Sequence, residues 1–552
     1  MKLKLQGEHQ DDNYPEVGEV SSIFWNKERT VFAVVSEYCP LPSAIRPRFN
    51  SKYGQRISLY VASSRSLVSS FSGTSYEIFH VAFHPDLPVL LASTASYDGG
   101  FYFQGELIEW NWQTNERRWL ATGPAFYASR FASRSEIEVL VTPIDEEDIN
   151  SGQDAFKIFR YKKLRIDEIP LDGVPTEWLQ PPSSRDVHPE ELGFTALPIF
   201  SEHRKTDRKA SKEEVHSLLA CRNLRGVVRD IVSSKSQLIV IKDRLTLEYR
   251  DSAGKILDYV ESEFTGSQIC SIGEDSFLVS THSPTLPLYT SKEQRGRISK
   301  WSLGATRLEK LIEGANPFVL SQGRDGTVLA RSCSLYSDNV DDRFRQPIGV
   351  NYLIGLDLKS SPLAPLGSYS PSFNYIATRY SEHLYFLGPE ARAAGLRIGT
   401  INREKCVGEL LDFFDKRPDA EFLAKSHSYL QPELFAAHRT QKGEDLIGSG
   451  TITVFPGRWL VWRHDLAATS WTWKRLFDQR VHLLLSIASH NAVLVGLDGG
   501  TIELLNAETG ETLDQKQLSF AGIPSLPMEA CLLDGQCVIA TLEGRFLFFG
   551  IE

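Results

Sequence analysis

Few residues in this chain combine a type and a spacing that chemistry would need. His80 and His84 stand four apart, and on a strand both would point to one face and approach a common ligand. His84 also opens the run His84-Pro-Asp86, which reads as a turn between strands, and the turn is the reading adopted. Residues 145–148, Asp-Glu-Glu-Asp, cluster carboxylates of the kind that hold a hard cation; such runs more commonly solvate a loop. The seven cysteines contain no Cys-x-x-Cys, and Cys531 with Cys537 lacks a matching second pair, so a structural zinc site is not expected. A phosphate-cradling Gly-x-x-x-x-Gly-Lys-Ser/Thr, a Gly-x-Ser-x-Gly nucleophile turn and a His-Glu-x-x-His helix are all absent from the sequence. No catalytic residue, metal ligand or cofactor-binding residue is assigned.

Two further groups invite binding. Residues 203–209, His-Arg-Lys-Thr-Asp-Arg-Lys, are basic but carry no interleaved aromatic on which a base would stack. A solvated loop is the simpler reading. Trp459, Trp462, Trp471 and Trp473 suggest stacking on a sugar or base, yet Trp459-Leu-Val-Trp462 and Trp471-Thr-Trp473 follow strand alternation, which favours core.

The formal net charge of -10 and pI near 5.8 would repel a polyanion, which argues against general nucleic-acid binding. No apolar run approaches the roughly 18 to 20 residues of a spanning helix, and the first residues do not form a signal peptide. The cysteines are odd in number and scattered, unlike a disulfide framework. A cytoplasmic address follows as the expectation.

The elements that must position these residues show themselves as a repeat. Residues 105–116 read Gly-Glu-Leu-Ile-Glu-Trp-Asn-Trp-Gln-Thr-Asn-Glu, and residues 500–511 read Gly-Thr-Ile-Glu-Leu-Leu-Asn-Ala-Glu-Thr-Gly-Glu. Asn111 lies over Asn506, Thr114 over Thr509 and Asn115 over Gly510. Each segment alternates for about six residues and then enters a polar turn with a residue suited to left-handed backbone. Similar openings occur at Gly54, Gly296 and Gly544, with Trp301 over Trp110. Weaker copies lie near Ala155, Arg244 and Val350. Successive copies are about 44 to 54 residues apart where no insertion intervenes, the spacing of a four-stranded propeller blade. Upstream, Val81-Ala-Phe-His-Pro-Asp86 precedes Val89-Leu-Leu-Ala-Ser93, and Ala492-Val-Leu-Val-Gly-Leu497 precedes Asp498-Gly-Gly500.

This order of strand, turn, strand and aromatic-ended strand resembles the WD40 family of β-propellers, best over residues 76–122. The terminal Trp-Asp pair and the opening Gly-His pair are missing, so no binding residue is carried over. The resemblance implies an all-β propeller of seven or eight four-stranded blades in one ring spanning 1–552. Residues 2–6 alternate as a strand should and are expected to pair with the last strands, removing two sheet edges.

Two interruptions are read as insertions. In 170–225, Ser211 and Glu214 suggest a helix start with Val215, Leu218 and Leu219 on one face. In 400–448, Val407, Leu410, Leu411 and Phe414 form a helical stripe, and Phe422, Leu434 and Phe435 continue the apolar content. These apolar residues are the expected protein-binding sites. The functional expectation is a non-catalytic scaffold within a hetero-complex of other proteins. Its alternatives are a propeller hydrolase or lyase with its site in the central channel, and a ligand or peptide sensor feeding a separate ATPase or nuclease.

Overall fold

The computed structural model describes residues 1–10, 19–38, 54–97, 103–141, 159–170, 173–179, 185–187, 226–242, 247–282, 296–314, 318–332, 350–363, 378–387, 398–405, 407–410, 430–441, 443–452, 459–466, 470–520 and 522–552. Among them helix is limited to 3-10 turns such as Thr176–Leu179 and Ala488–His490. No described helix is long and apolar enough to cross a membrane.

Among the described residues the strands assemble into ten antiparallel blades, nine of four strands and one of three, with one additional two-stranded hairpin. In chain order the blades span 19–72, 77–123, 126–187, 228–260, 265–314, 318–363, 385–410, 430–477, 481–517 and 527–551; they are numbered 1 to 10 here. Blade 10 takes its outer strand from the other end of the chain. Leu3–Gln10 pairs with Arg545–Ile551, and Lys2 donates its backbone N–H to the Glu552 carbonyl at 2.7 Å.

The superposed segments match atom for atom at their turns. Asn111 Oδ1 accepts the N–H groups of Gln113 and Thr114 at 3.0 and 3.2 Å, and Asn506 Oδ1 accepts those of Glu508 and Thr509 at 2.8 and 3.1 Å. Asn115 and Gly510 both have positive φ, 60° and 73°. The side-chain oxygen replaces a backbone acceptor and closes the turn, which is why Asn and a left-handed residue recur at these two places.

Alternation within a strand now acquires a direction. In Ala492–Leu497, Val493 and Val495 belong to the core shared with blade 8, while Ala492 and Leu494 belong to the core shared with blade 10. In Gln237–Lys242, Ile239 and Ile241 face blade 5, and Leu238 and Val240 face blade 10. Inner blade strands are buried on both faces, so they read as apolar runs.

Following these shared cores gives the arrangement. Blades 4 and 5 meet through one apolar core, 5 and 6 through Ile298 and Val328, and 6 and 7 through Leu329, Leu384 and Ile401. Tyr385 joins blade 7 to blade 8 beside Leu446 and Trp462. Blades 8, 9 and 10 continue the series, and blade 10 returns to blade 4, where Val538 and Phe546 share a core with Leu238 and Val240. Seven blades therefore close on themselves, whereas one ring of seven or eight blades was expected to take in every blade of 1–552. Both faces of blade 4 are taken by blades 5 and 10, so blades 1 to 3, which share cores with one another, stand beside this cycle. The repeat pattern is the same in both groups, and for that reason the sequence alone did not separate them. A buried ion pair between Arg56 and Glu543 and a 2.7 Å bond from Ser72 Oγ to the Asp498 carbonyl tie blade 1 to the cycle.

The helical reading of 400–448 is corrected. Its described parts are the strands Ile398–Asn402, Val407–Leu410, Leu430–Thr440 and Gly443–Ile452. Apolar residues three or four apart satisfied a helical template, but Val407 and Leu410 share one strand and Leu434 and Phe435 another, the latter two with a core on either side. Part of 170–225 is likewise not an insertion: Arg185–Val187 is the outer strand of blade 3, paired with Phe159–Arg165.

Gly105 shows how closely neighbouring blades approach. A Cβ there would collide with the Thr94 carbonyl oxygen and would come within 3.0 Å of the backbone of Ala125 and Phe126 at the start of blade 3. Gly105→Ala is expected to destabilise the chain by about 1–3 kcal/mol through overpacking, read as a lowered urea midpoint by tryptophan fluorescence; an unchanged midpoint would refute the close approach.

Candidate functional site

First strands of neighbouring blades lie side by side, as in blades 4, 5 and 6, blades 8, 9 and 10, and again between blades 10 and 4, and most first strands carry a bulge near their start. In the seven-blade cycle the register shifts between Val228 and Asp230, Gly266 and Gln268, Pro432 and Leu434, Val481 and Leu483, and Pro527 and Glu529. A bulge re-aims the side chain that follows it. In blades 4 and 5 that side chain reaches the next blade: Asp230 Oδ2 accepts the N–H of Ile269 at 2.9 Å, and Gln268 Oε1 accepts that of Leu320 at 2.7 Å.

A second group enters from the opposite side. Residues 378–381 run along the end of Phe318–Gln322, with the Gln322 N–H donating to the Thr378 carbonyl at 2.8 Å and the Arg324 N–H to that of Ser381 at 2.7 Å. From this segment Arg379 crosses to blade 4, where it donates to the Ile231 carbonyl at 2.6 Å and forms an ion pair with Asp230. Tyr380 has a left-handed backbone, φ 54°, and its residue surface is 52% exposed. It also lies within electrostatic reach of Cys270 in blade 5 and Cys531 in blade 10. Groups from blades 4, 5 and 10 and from the segment entering blade 7 thus converge on the ring's centre.

Glu529 completes the group. Burial pushes its carboxyl up to about 7, with Arg379 pulling in the opposite direction. Burial also pushes the thiols of Cys270 and Cys531 up to about 12, which leaves them protonated and unreactive at neutral pH. Chemically the cluster offers a fixed guanidinium, a carboxylate already paired with it, a second carboxyl and an aromatic face. Among the described residues no group of three or more His, Cys, Asp or Glu is placed to hold a metal ion.

The residues singled out from sequence fall elsewhere. Val215, Leu218, Leu219, Leu411, Phe414 and Phe422 lie outside the described residues, as do 145–148 and 203–209. Leu410 is in a strand opposite Gly399. Leu434 is packed against the core of blades 8 and 9, and Phe435 is buried between blades 7 and 8, so neither is presented to a partner. His84 is a turn residue: Nδ1 accepts the N–H groups of Asp86 and Leu87 at 3.0 and 2.9 Å. Trp459 and Trp462 are core. Asp230 and Glu529 had one legible signal, a carboxylate inside an apolar strand; Arg379 had none.

By its sheets this is an all-β, propeller-like protein. No family model matches the chain, and no curated protein matches it. Among solved structures it is similar to Raptor from Chaetomium thermophilum, at 11% identity and TM-score 0.39 over 60% of this chain, which spans 28% of that one. It is also similar to virginiamycin B lyase from Staphylococcus aureus, at 10% identity and TM-score 0.38, covering 60% of this chain and 97% of that one. Likenesses this distant carry no argument about function.

Arg379→Met is expected to destabilise the chain by about 1–3 kcal/mol, less than for a fully buried pair because the guanidinium is partly solvated. Asp230→Asn in the same chain should cost less than the sum of the two single changes, and an additive double-mutant cycle would refute the pairing. Glu529 has the opposite pH sign. Its folded value lies above the ordinary 4.5, so its contribution to stability is fully present below the ordinary value and is lost as pH rises through about 7. Glu529→Gln should therefore raise the thermal midpoint relative to wild type more at pH 8 than at pH 5.

Proposed function

We propose that this chain is a non-catalytic interaction scaffold of the WD40-like kind, a subunit of a cytoplasmic hetero-complex with other proteins. The observation that supports this reading is where the buried charges go. Arg56 pairs with Glu543, Glu248 with both Lys242 and Arg250, Arg463 with Asp445, and Arg545 with Glu8. Of these, Arg56 with Glu543 joins two blades. Arg250 also lies over the Phe546 ring of blade 10, 4.3 Å from its centroid, and Arg463 donates to the Ala507 carbonyl beyond blade 8 at 2.6 Å. Charges committed within blades, and in these three cases also across blades, stiffen the frame and leave recognition to the blade ends and loops.

Acidic composition fits partners met through protein surfaces rather than a polyanion. A hydrolase or lyase reading is favoured by one observation, a carboxyl near neutral pKa at the centre of the ring, the range in which a general base works best. The scaffold reading predicts that the tagged full chain, purified from its native host at native expression, co-elutes with other proteins in fixed ratio through size exclusion in high salt. Elution as an isolated chain, without stoichiometric companions, would overturn it.

A further inference from the structure

We infer that the centre of the seven-blade ring is a receptor for a basic side chain, lysine or arginine, carried by a protein partner, with the Glu529 carboxylate and the ring of Tyr380 as its contacts. The inference rests on the scaffold reading and names what that scaffold would grip.

Its starting point is a contrast among the three blades of the cycle whose post-bulge residue is polar, blades 4, 5 and 10. Asp230 and Gln268 emerge from their bulges and give a side-chain oxygen to the first strand of the next blade. Glu529 emerges from the same bulge in blade 10, next to blade 4. The corresponding N–H in blade 4, that of Ile231, is already taken by Asp230 Oδ1 at 2.8 Å. Among the described residues the Glu529 carboxyl accordingly takes no hydrogen bond. The post-bulge side chain of blade 10 is left over, within electrostatic reach of Arg379.

Charge decides what it would take. Arg379 is already satisfied by Asp230 and the Ile231 carbonyl, so those two charges cancel and an ionised Glu529 leaves the cluster net negative. A carboxylate guest would meet that excess, whereas an ammonium or guanidinium would neutralise it and gain a charge-assisted hydrogen bond. Tyr380 adds an aromatic face suited to a cation. Its left-handed backbone is costly for a non-glycine residue, and the backbone hydrogen bonds of Thr378 and Ser381 on either side of it hold that segment on blade 6. The chain's net charge of -10 adds long-range attraction for a basic segment.

The test uses the full chain and acetyl-Gly-Gly-Arg-Gly-Gly-amide, with lysine and citrulline counterparts, titrated by calorimetry. The arginine and lysine peptides should bind at least tenfold more tightly than the citrulline peptide. Glu529→Gln should remove that preference, Glu529→Asp should keep part of it, and Tyr380→Leu should weaken binding several-fold with Glu529 intact. Equal binding of the citrulline peptide, or an unchanged preference in Glu529→Gln, would overturn the site. Co-purification separates the two levels. Wild-type amounts of partners on Glu529→Gln would sink the site and spare the scaffold; selective peptide binding by a chain that co-purifies with nothing would keep the site and sink the scaffold.

Discussion

A blade in this protein is a sheet one layer thick with apolar side chains on both faces, and such a sheet has no core of its own. Val493 and Val495 need blade 8 and Leu494 needs blade 10, although all three residues lie on one strand of blade 9. Stability is therefore a property of neighbouring pairs, and the chain must either cap its terminal blades or bring the last blade back to the first. It does the second between blades 10 and 4. Fully buried Glu248 and Arg250, with Lys242, face that seam together with Leu238 and Val240. Buried charges of this kind cost desolvation and add less to stability than apolar packing would; they pair with one another inside blade 4, and the Phe546 ring of blade 10 covers the Arg250 guanidinium.

The same constraint explains the bulges. A first strand must satisfy its own ladder and still lie against the next first strand, whose inner N–H groups have no ladder partner on that side. Shifting the register by one residue aims a polar side chain across the gap, as Asp230 does toward Ile269 and Gln268 toward Leu320. Blades 4 and 5 use this device, while blades 8 and 9 place Leu434 and Leu483 after the bulge, and Glu529 of blade 10 is a polar post-bulge residue without such a bond among the described residues. Arg379 adds a tie between segments far apart in the chain, from the entry to blade 7 across to blade 4.

Much of the blade architecture was legible because turns and alternation are local. The Asn111 and Asn506 turns and the glycine starts at 105, 296 and 500 depend on a few consecutive residues whose backbone demands are met by very few side chains. The misreading of 400–448 has an equally local cause. Val407 and Leu410, or Leu434 and Phe435, match a helical stripe and a doubly buried strand equally well over so short a run, and only the partner strands at 399–402 and 443–452 decide between them. Of the interaction residues chosen from that stretch, Leu434 and Phe435 are described, and both lie in or against a core.

From the sequence by itself came the class of fold, the blade period, the turn chemistry and the exclusion of the common catalytic signatures, since each is written in residues close together along the chain. Tertiary structure alone decided which seven blades close, that residues 19–187 stand beside them, and that Asp230, Arg379, Tyr380 and Glu529 share one centre. Those four are separated by as many as 299 residues, and no local propensity links them. They meet because each blade face fits one neighbour and the last face fits the first.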